Sequence, residues 1–446
     1  MSAAALLDRV LGEASPEDEP RWVTEARDEA RRWLAAKGLP GPRDEAWKYT
    51  PLADVLDGLP GAVDSTGTSG RHGVRASVVD SLLGVPGGGA RLVFVDGVHH
   101  PGLSAASTPD GVTCTSLSAI LHSTAWAPRF PGLWDGAQWD GFRALNQAAA
   151  TDAALVSVAS GRRATLPVKI VHLSLGEPTL GVRHPRTFIE VGEGASVTVV
   201  ERYLGSATTG LTNAATTVVA GPGAHVGHHR VQQEGGGVTH LGTTAIRQAA
   251  GSDVTSTSVM LGGGVARHAI AATLDGSGAT VRLSGLNVTT ADRRHDHTVD
   301  VTHAASQCQS SQLFKGVVAD RGRGSFSGRI LVPADTTATE AHQTTRSLLL
   351  GSHAQADARP WLEILADDVV CTHGAAVGQL DDDAMFYLRS RGIPPSAARA
   401  LLVTAFVREV LDTVDVPDLR VELEAAVTEA LDAVGDADGG ASGAGR

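Results

Sequence analysis

Lysine is nearly missing from this chain: four residues in 446, at positions 37, 48, 169 and 315, none of them neighbours. Lys and Arg together number 37 against 49 Asp and Glu, a formal net charge of -12. Neutralising phosphates takes clustered cations, so this balance argues against nucleic acid as a partner. Cysteine is scarce too. Cys114, Cys308 and Cys371 are odd in number and far apart, which excludes a disulfide framework and fits a reducing cytoplasm. No continuous apolar run approaches the roughly 20 residues of a membrane span, so a soluble chain with no membrane contact is expected. The start offers only the short apolar patch Ala3 to Leu7, then Asp8 and the acidic run Pro16 to Pro20. No secretory signal is read there. Phosphate-binding loops of the Gly-x-x-x-x-Gly-Lys-Ser/Thr type are missing, so no ATP is expected on this chain. Neither a Gly-x-Ser-x-Gly elbow nor a His-Glu-x-x-His helix occurs.

Aromatic residues make up 4% of the chain, against 52 glycines. A large globular core leans on Phe and Tyr for bulk. Stacked coils of small aliphatics need fewer, and the composition points that way.

The length prior is about three domains. Residues 1–60 read as a helical region. Ser15-Pro16 has the look of a helix start, with Glu17 and Glu19 in its first turn. The apolar stripe Trp22, Ala26, Ala30, Trp33 and Leu34 follows, and Asp44 to Thr50 reads as a compact connector. Residues 61–150 read as linker and lead-in, Gly- and Ser-rich between Asp64 and Gly89. A strand with an Asp96-Gly97 turn then precedes a short helix carrying Phe142, Leu145 and Asn146.

Residues 151–380 change character. Turn-plus-strand units begin at Gly192, Gly221, Gly251, Gly276 and Gly322, with a looser one at Gly351, at intervals of 29, 30, 25, 46 and 29 residues. If 46 is two turns of about 23, one period of roughly 23 to 30 residues runs throughout. β alternation at that period predicts a solenoid, mainly β, in which each coil buries its inner face by stacking on its neighbours. A β-sandwich is the rival, because short strands with frequent turns look alike locally. Residues 381–434 then predict three helices, and residues 435–446 have the composition of a disordered tail.

The β and helical regions meet between Asp367 and Ile393. Cys371 and His373 stand there, one residue apart on a predicted strand. Alternate residues share a face, so the thiol and the imidazole can address one spot. Both are ligand types for iron–sulfur centres, but a two-iron or four-iron cluster normally takes four ligands. Spacing alone leaves a plain alternative, a small buried Cys371 and a hydrogen-bonded His373 at a turn. His225, His228, His229, His295 and His297 alternate along strands in the manner of a solvated face. Cys308 is expected to pack inside the solenoid.

Several segments together resemble the SufB/SufD family of iron–sulfur cluster assembly proteins, on its SufD branch. They are Gln312-Leu-Phe-Lys-Gly316, Asp367-Asp-Val-Val-Cys-Thr-His-Gly-Ala375, Val377-Gly-Gln-Leu-Asp381 and Phe386-Tyr-Leu-Arg-Ser-Arg-Gly-Ile393. Glu45 to Thr50, Phe142 to Asn146 and Pro185 to Val191 are weaker pieces of the same resemblance, which covers most of the chain. It implies a right-handed parallel β-helix flanked by N-terminal and C-terminal helical regions. It also implies a complex with a SufB-like subunit and a SufC-like ATPase, in which SufB and SufD pair through their β-helix ends. Under it, His373 matches the histidine at the SufB–SufD interface where a transient cluster forms, shared between the two chains, and Cys371 the cysteine beside it. The SufB branch instead reads Glu-His-Glu-Ala here and carries its key cysteine on the preceding strand. Gly351 to Pro360 has none.

The resemblance therefore implies a non-catalytic cytoplasmic scaffold, with a reduced flavin as a further cofactor of the complex. Met385, Phe386, Leu388, Leu401, Leu402 and Phe406 are the candidates for the ATPase-docking helices. Two other classes stay open at this point. One is a β-helix carbohydrate-active enzyme of the polysaccharide lyase type, which needs a groove of convergent Asp, Arg or Lys. The other is a structural scaffold that forms a homodimer without its partner.

Overall fold

A computed structural model describes residues 3–12, 19–41, 43–57, 89–105, 108–124, 126, 140–175, 181–207 and 209–438. The chain begins with α1 (Ala3–Leu11), α2 (Arg21–Lys37), a 3-10 turn over Glu45–Trp47 and α3 (Leu52–Asp57). Strands β1 (Arg91–Val95), β2 (Val98–His99) and β3 (Val112–Ser116), the turn α4 (Leu117–Ile120) and α5 (Gly141–Ala149) lead into the body. β4 (Ala154–Val158), β5 (Val168–Ser174), β6 (Val182–Arg183), β7 (Arg186–Val191), β8 (Ser196–Gly205) and β9 (Gly210–Ala220) follow. Next come β10 (His225–Gln233), β11 (Val238–Gln248), β12 (Asp253–Met260), β13 (Val265–Leu274) and β14 (Thr280–Thr289). The strands end with β15 (Arg294–Thr302), β16 (Gln309–Val318), β17 (Arg323–Val332), β18 (Thr339–Leu349), β19 (Gln355–Ile364) and β20 (Val369–Gly378). Helices α6 (Asp382–Ser390), α7 (Pro395–Leu411) and α8 (Pro417–Asp438) close the chain.

From β8 onward each coil gives one strand to each of two sheets. Sheet A runs β2-β1-β5-β8-β10-β12-β14-β16-β18-β20, and sheet B runs β19-β17-β15-β13-β11-β9-β7-β4-β3 with β6 beside β9. Neighbouring coils pair in parallel register. The result is a parallel β-solenoid of about eight turns, not a sandwich. Thr239 pairs with Val265, 26 residues on, and Arg323 with Gln355, 32 on.

Among the described residues no coil is as short as 23 residues. Gly276 turns the chain out of β13 in sheet B, whereas Gly322 follows β16 in sheet A. The 46-residue interval is therefore a coil and a half, read across opposite corners. Gly223 and Gly278 take φ of 62° and 74°, which suits glycine. Ala291, Gln307, Asp320 and Ala338 make the same left-handed bend at other corners, so the glycine signal fades there while the coil continues.

The helical ends differ in detail from the sequence expectation. α2 starts at Arg21 behind Pro20; position 15 lies outside the described residues, as does 58–88, which holds most of the expected linker. The buried stripe of α2 is Val23, Arg27, Ala30 and Leu34. Trp22, Ala26 and Trp33 flank it, because the buried guanidinium of Arg27 takes the centre, held by Glu19 and the carbonyls of Ala148 and Ala150. α8 continues to Asp438, past the expected tail boundary, and 439–446 lie outside the described residues. The lead-in also builds the body. β1 extends sheet A in parallel with β5, and β3 pairs antiparallel with β4 in sheet B.

Helices cover the outer faces of both sheets. The N-terminal helices and Trp47 pack with Leu211 and Leu241 of sheet B. α7 and α8 lay Val403, Val407, Val410, Leu411 and Leu423 on Val200, Val231, Val259, Leu286 and Val317 of sheet A.

The interior has two halves. One, around Val197, Val226, Val254, Val281, Ile246 and Ile270, is aliphatic. The other is polar. Glu201 is fully buried and accepts from Thr187 at 2.6 Å, Tyr203 at 2.8 Å, Thr216 at 2.8 Å and His228 at 3.1 Å. Burial opposes its ionisation, but hydrogen bonds from His172 and His228 outweigh it and hold the carboxyl well below its ordinary range. Burial keeps His295 and His297 at about 4 and about 3.

The solenoid is therefore expected to be acid-sensitive. The unfolded chain takes up protons near the ordinary histidine value of about 6.5, which folded His295 and His297 refuse until about 4 and about 3. Their stabilisation is fully present above about pH 6.5 and falls as pH drops, by up to about 1.4 kcal/mol per unit for each group. Urea midpoints recorded from about pH 8 to 5 should decline, and less steeply in His297→Gln. A midpoint independent of pH would refute this account.

Candidate functional site

Strand β20 is rich in β-branched Val369, Val370, Thr372 and Val377, and it ends at Gly378. Three residues later the Asp381 carboxylate accepts from the amides of Asp383 at 2.8 Å and Ala384 at 3.0 Å, and so caps α6. The strand is thus the last rung of sheet A, leading directly into the helices.

Its register sets the site. Cys371 lies beside Ala341 of β18, and His373 beside Gln343. Ala341 and Gln343 are 0% and 1% exposed and face the interior. Cys371 and His373 therefore continue two interior rows to the open mouth of the solenoid. The sulfur row ends in the aliphatic half, where half-buried Cys371 packs with Ile330, Val332, Leu362 and Ile364. The imidazole row ends in the polar half, and His373 is exposed. Burial pushes the Cys371 thiol up, against a weaker opposing hydrogen bond with the Ala341 backbone. Between them, Thr372 turns outward and bonds His342 Nδ1 at 2.8 Å, while His342 Nε2 meets Glu340 at 2.9 Å.

Among the described residues no strand follows β20 in sheet A or β19 in sheet B. Both therefore present a row of backbone donors and acceptors at one end of the coil. At the opposite end, the β1–β2 hairpin and antiparallel β3 terminate the stack. Among the described residues no three His, Cys, Asp or Glu side chains converge as a metal site. Cys371 and His373 place two metal-capable side-chain types at this open end.

The remaining sequence candidates divide by position. Phe386 is 72% and Leu401 51% exposed. Met385, Leu388 and Leu402 are half-buried. Phe406 turns toward the solenoid, where its ring lies 4.4 Å from Lys315 Nζ and its carbonyl accepts from that ammonium at 2.8 Å. Lys315 also pairs with Glu409, so this nearly buried cation pins α7 to sheet A. Tyr387 and Val421 are also exposed, at 58% and 68%, and are not among the sequence candidates. Val421 is offset by two from the buried Leu419 and Leu423, a displacement that helical periodicity could have revealed.

The histidines expected on a solvated face are mostly inside. His228, His229, His295 and His297 are buried, and only His225 of that group is exposed. His228 and His297 face the polar half of the interior, bonding Ser256 and Ser258. His229 faces outward but is covered by α7–α8 and pairs with Asp415. Alternation reported the strand correctly, but in a solenoid a polar row can line the core. Cys308 is buried as expected, its thiol donating to the Gly276 carbonyl at 3.3 Å.

Residues 174–406 match the family described as SUF system FeS cluster assembly, SufBD core domain. The iron–sulfur cluster assembly protein SufD of Escherichia coli is 31% identical over 402 residues, covering 89% of this chain and 90% of its own. A SufBD family protein of Synechocystis is 30% identical, covering 90% of each chain. The SufD protein of Bacillus subtilis is 25% identical over 74% of this chain and 76% of its own.

Two outcomes follow from the geometry. Under native conditions at neutral pH, iodoacetamide should label Cys371 before the buried Cys114, whose thiol is pushed up to about 12 by burial, and before Cys308. The Cys371 rate should stay below that of an unhindered cysteine peptide, and faster labelling of Cys114 or Cys308 would contradict the placement. Replacing Lys315 by Met should loosen α7, raising amide exchange across Val403 to Leu411 about tenfold, a loss of about 1.4 kcal/mol. Unchanged protection would remove Lys315 as the pin.

Proposed function

This chain belongs to the SufB/SufD family of iron–sulfur cluster assembly proteins, on its SufD branch, and from that premise we propose that it is a non-catalytic scaffold subunit. It works as one half of a pair. The open rungs β19 and β20 join the corresponding end of a SufB-like subunit. His373, with Cys371 beside it, contributes to a transient cluster whose other ligands the partner supplies. The cluster is cargo, held briefly and passed on. The C-terminal helices receive a SufC-like ATPase through the surface that includes Phe386, Tyr387 and Leu401, and ATP is hydrolysed there and not on this chain. The reading places the complex in the cytoplasm.

One observation carries this proposal: two interior rows end on a thiol and an imidazole at an uncovered sheet edge. A half-set of ligands binds iron weakly alone, which suits a scaffold that must release its product. The same edge would also serve self-association, and a homodimer formed without the partner is the second reading it favours.

The test is anaerobic reconstitution with iron and sulfide after co-purification with the SufB-like and SufC-like partners. His373→Ala should lower the cluster yield about tenfold or more, and Cys371→Ser by less. Truncation after Gln379 should abolish association with the ATPase. An unchanged yield in His373→Ala would sink the shared site. Persistent ATPase binding after truncation would sink the docking assignment.

A further inference from the structure

The imidazole row can be followed inward from the mouth. His373 stands in register with Gln343, and Gln343 in register with Gln312, on three successive rungs of sheet A. Adjacent rungs are about 4.8 Å apart, the spacing at which stacked amides bond into a ladder. Gln343 Nε2 donates to Gln312 Oε1 at 2.7 Å. Both glutamines are almost fully buried, at 1% and 2% exposure. Gln312 Nε2 is buried with no partner, above Leu283 in the row, and so is Gln343 Oε1 on the side nearer the mouth.

That orphan oxygen is the feature to explain. An unpaired buried acceptor is costly, about 1–3 kcal/mol, and the aliphatic side chains lining the other half of the interior would avoid it. The one bond of this ladder has a direction: Gln343 donates to the rung below, and the next rung inward is the aliphatic Leu283. Gln343 turns its amide nitrogen toward Gln312, so the vacant acceptor calls for an N–H from the rung on its other side. The next residue in the row is His373, which carries such a group on whichever ring nitrogen is protonated.

We propose that Gln343, braced by Gln312, is the positioning residue for His373: it accepts the imidazole N–H, selects one tautomer and turns the other nitrogen's lone pair out of the mouth. A ligating histidine is commonly held this way, by an acceptor on its second nitrogen. Here the acceptor is an uncharged amide, so the row orients the ring without adding negative charge to the seam. The inference deepens the scaffold reading and rests on it, since it assigns His373 a ligand's orientation.

The experiment reads the tautomer directly in the full-length isolated chain. Nitrogen NMR of isotopically labelled imidazoles, at about pH 8.5 where histidine is ordinarily neutral, separates the two forms, and loss of one signal in His373→Asn assigns the residue. The wild type should hold His373 in one predominant tautomer. Gln343→Leu should convert it to a mixture, and Gln343→Glu, which keeps an acceptor, should restore a single form. Should Gln343→Leu fail to fold because Gln312 is left unpaired, Gln312→Leu/Gln343→Leu removes both amides and should also give the mixture. The same tautomer ratio in wild type and in the leucine variants overturns the proposal. In the reconstituted complex, the probe is ferrous iron alone. Gln343→Leu should weaken its binding about ten- to a hundredfold, with Gln343→Glu close to wild type. Equal iron affinity in wild type and Gln343→Leu would also overturn it. Iron binding unaffected by His373→Ala sinks the shared-site reading instead, and leaves a distinct signature: the tautomer still responds to Gln343 while the metal does not.

Discussion

A parallel coil cannot satisfy its own last rung. Every strand from β8 to β18 gives its backbone donors and acceptors to the coils on either side, which is what makes a stack of small aliphatics and glycines stable without many aromatics. The arrangement has two ends, and it treats them differently. At the N-terminal end the chain reverses direction: β1 joins the stack in parallel but folds back into antiparallel β2, and β3 meets β4 antiparallel. At the C-terminal end it leaves β20 for α6 within four residues, and among the described residues no further strand covers that rung. An uncovered edge of this size is a hazard unless something pairs with it. Placing the two metal-capable side chains on that rung makes the exposed backbone, the thiol and the imidazole parts of one feature.

The interior is built to deliver that feature. If it were aliphatic throughout, every row would end in an apolar patch at the mouth. Instead the core is split lengthwise. Cys371 ends the aliphatic half and His373 ends the half that holds Glu201, His228, His297 and the two glutamines. Such a polar interior tolerates few vacancies, because each buried group needs its partner. Glu201 shows the requirement met, with four close donors around one carboxylate. The glutamine row leaves it unmet at Gln343 Oε1, on the rung next to the mouth, and at Gln312 Nε2 one rung further in.

Much of this was legible beforehand, and the failures have physical causes. The coil period was readable because glycine marks the corners that bend left-handed. It blurred where Ala291, Gln307 and Asp320 make the same bend at modest strain. The β-to-helix junction showed as a change of period, and the alternation of Cys371 with His373 fixed their shared face. What alternation could not show is which side of the strand is inside, since both faces of sheet A are covered: one by the opposing sheet, the other by α7 and α8. Hence His228 and His229 were both assigned to solvent, although each is buried on a different side. Lys315 was visible only as a family-like position; its pairing with Glu409 lies 94 residues away in sequence. Gln343 carried no signal at all, because its meaning depends on being one rung below His373.

Strand β16 explains why the run Gln312 to Gly316 should be distinctive. Its period of two sends Gln312 and Phe314 inward and Leu313 and Lys315 outward. The inward pair reaches both halves of the core: Gln312 supports the row beneath His373, and Phe314, part of the apolar cluster, packs edge-on to His297, 5.1 Å between centroids. The outward pair meets the helical block, Leu313 against its apolar face and Lys315 against Phe406 and Glu409. Gly316 follows where a Cβ would come 2.8 Å from the Asn287 amide oxygen. Five consecutive residues thus join the inner row that ends at the mouth to the outer seam that holds the C-terminal helices. A substitution at any one of them acts on a single face of the strand, so the two contacts can be altered separately. That separation makes the run interpretable: inward changes should register at His373, and outward changes in the docking of α7.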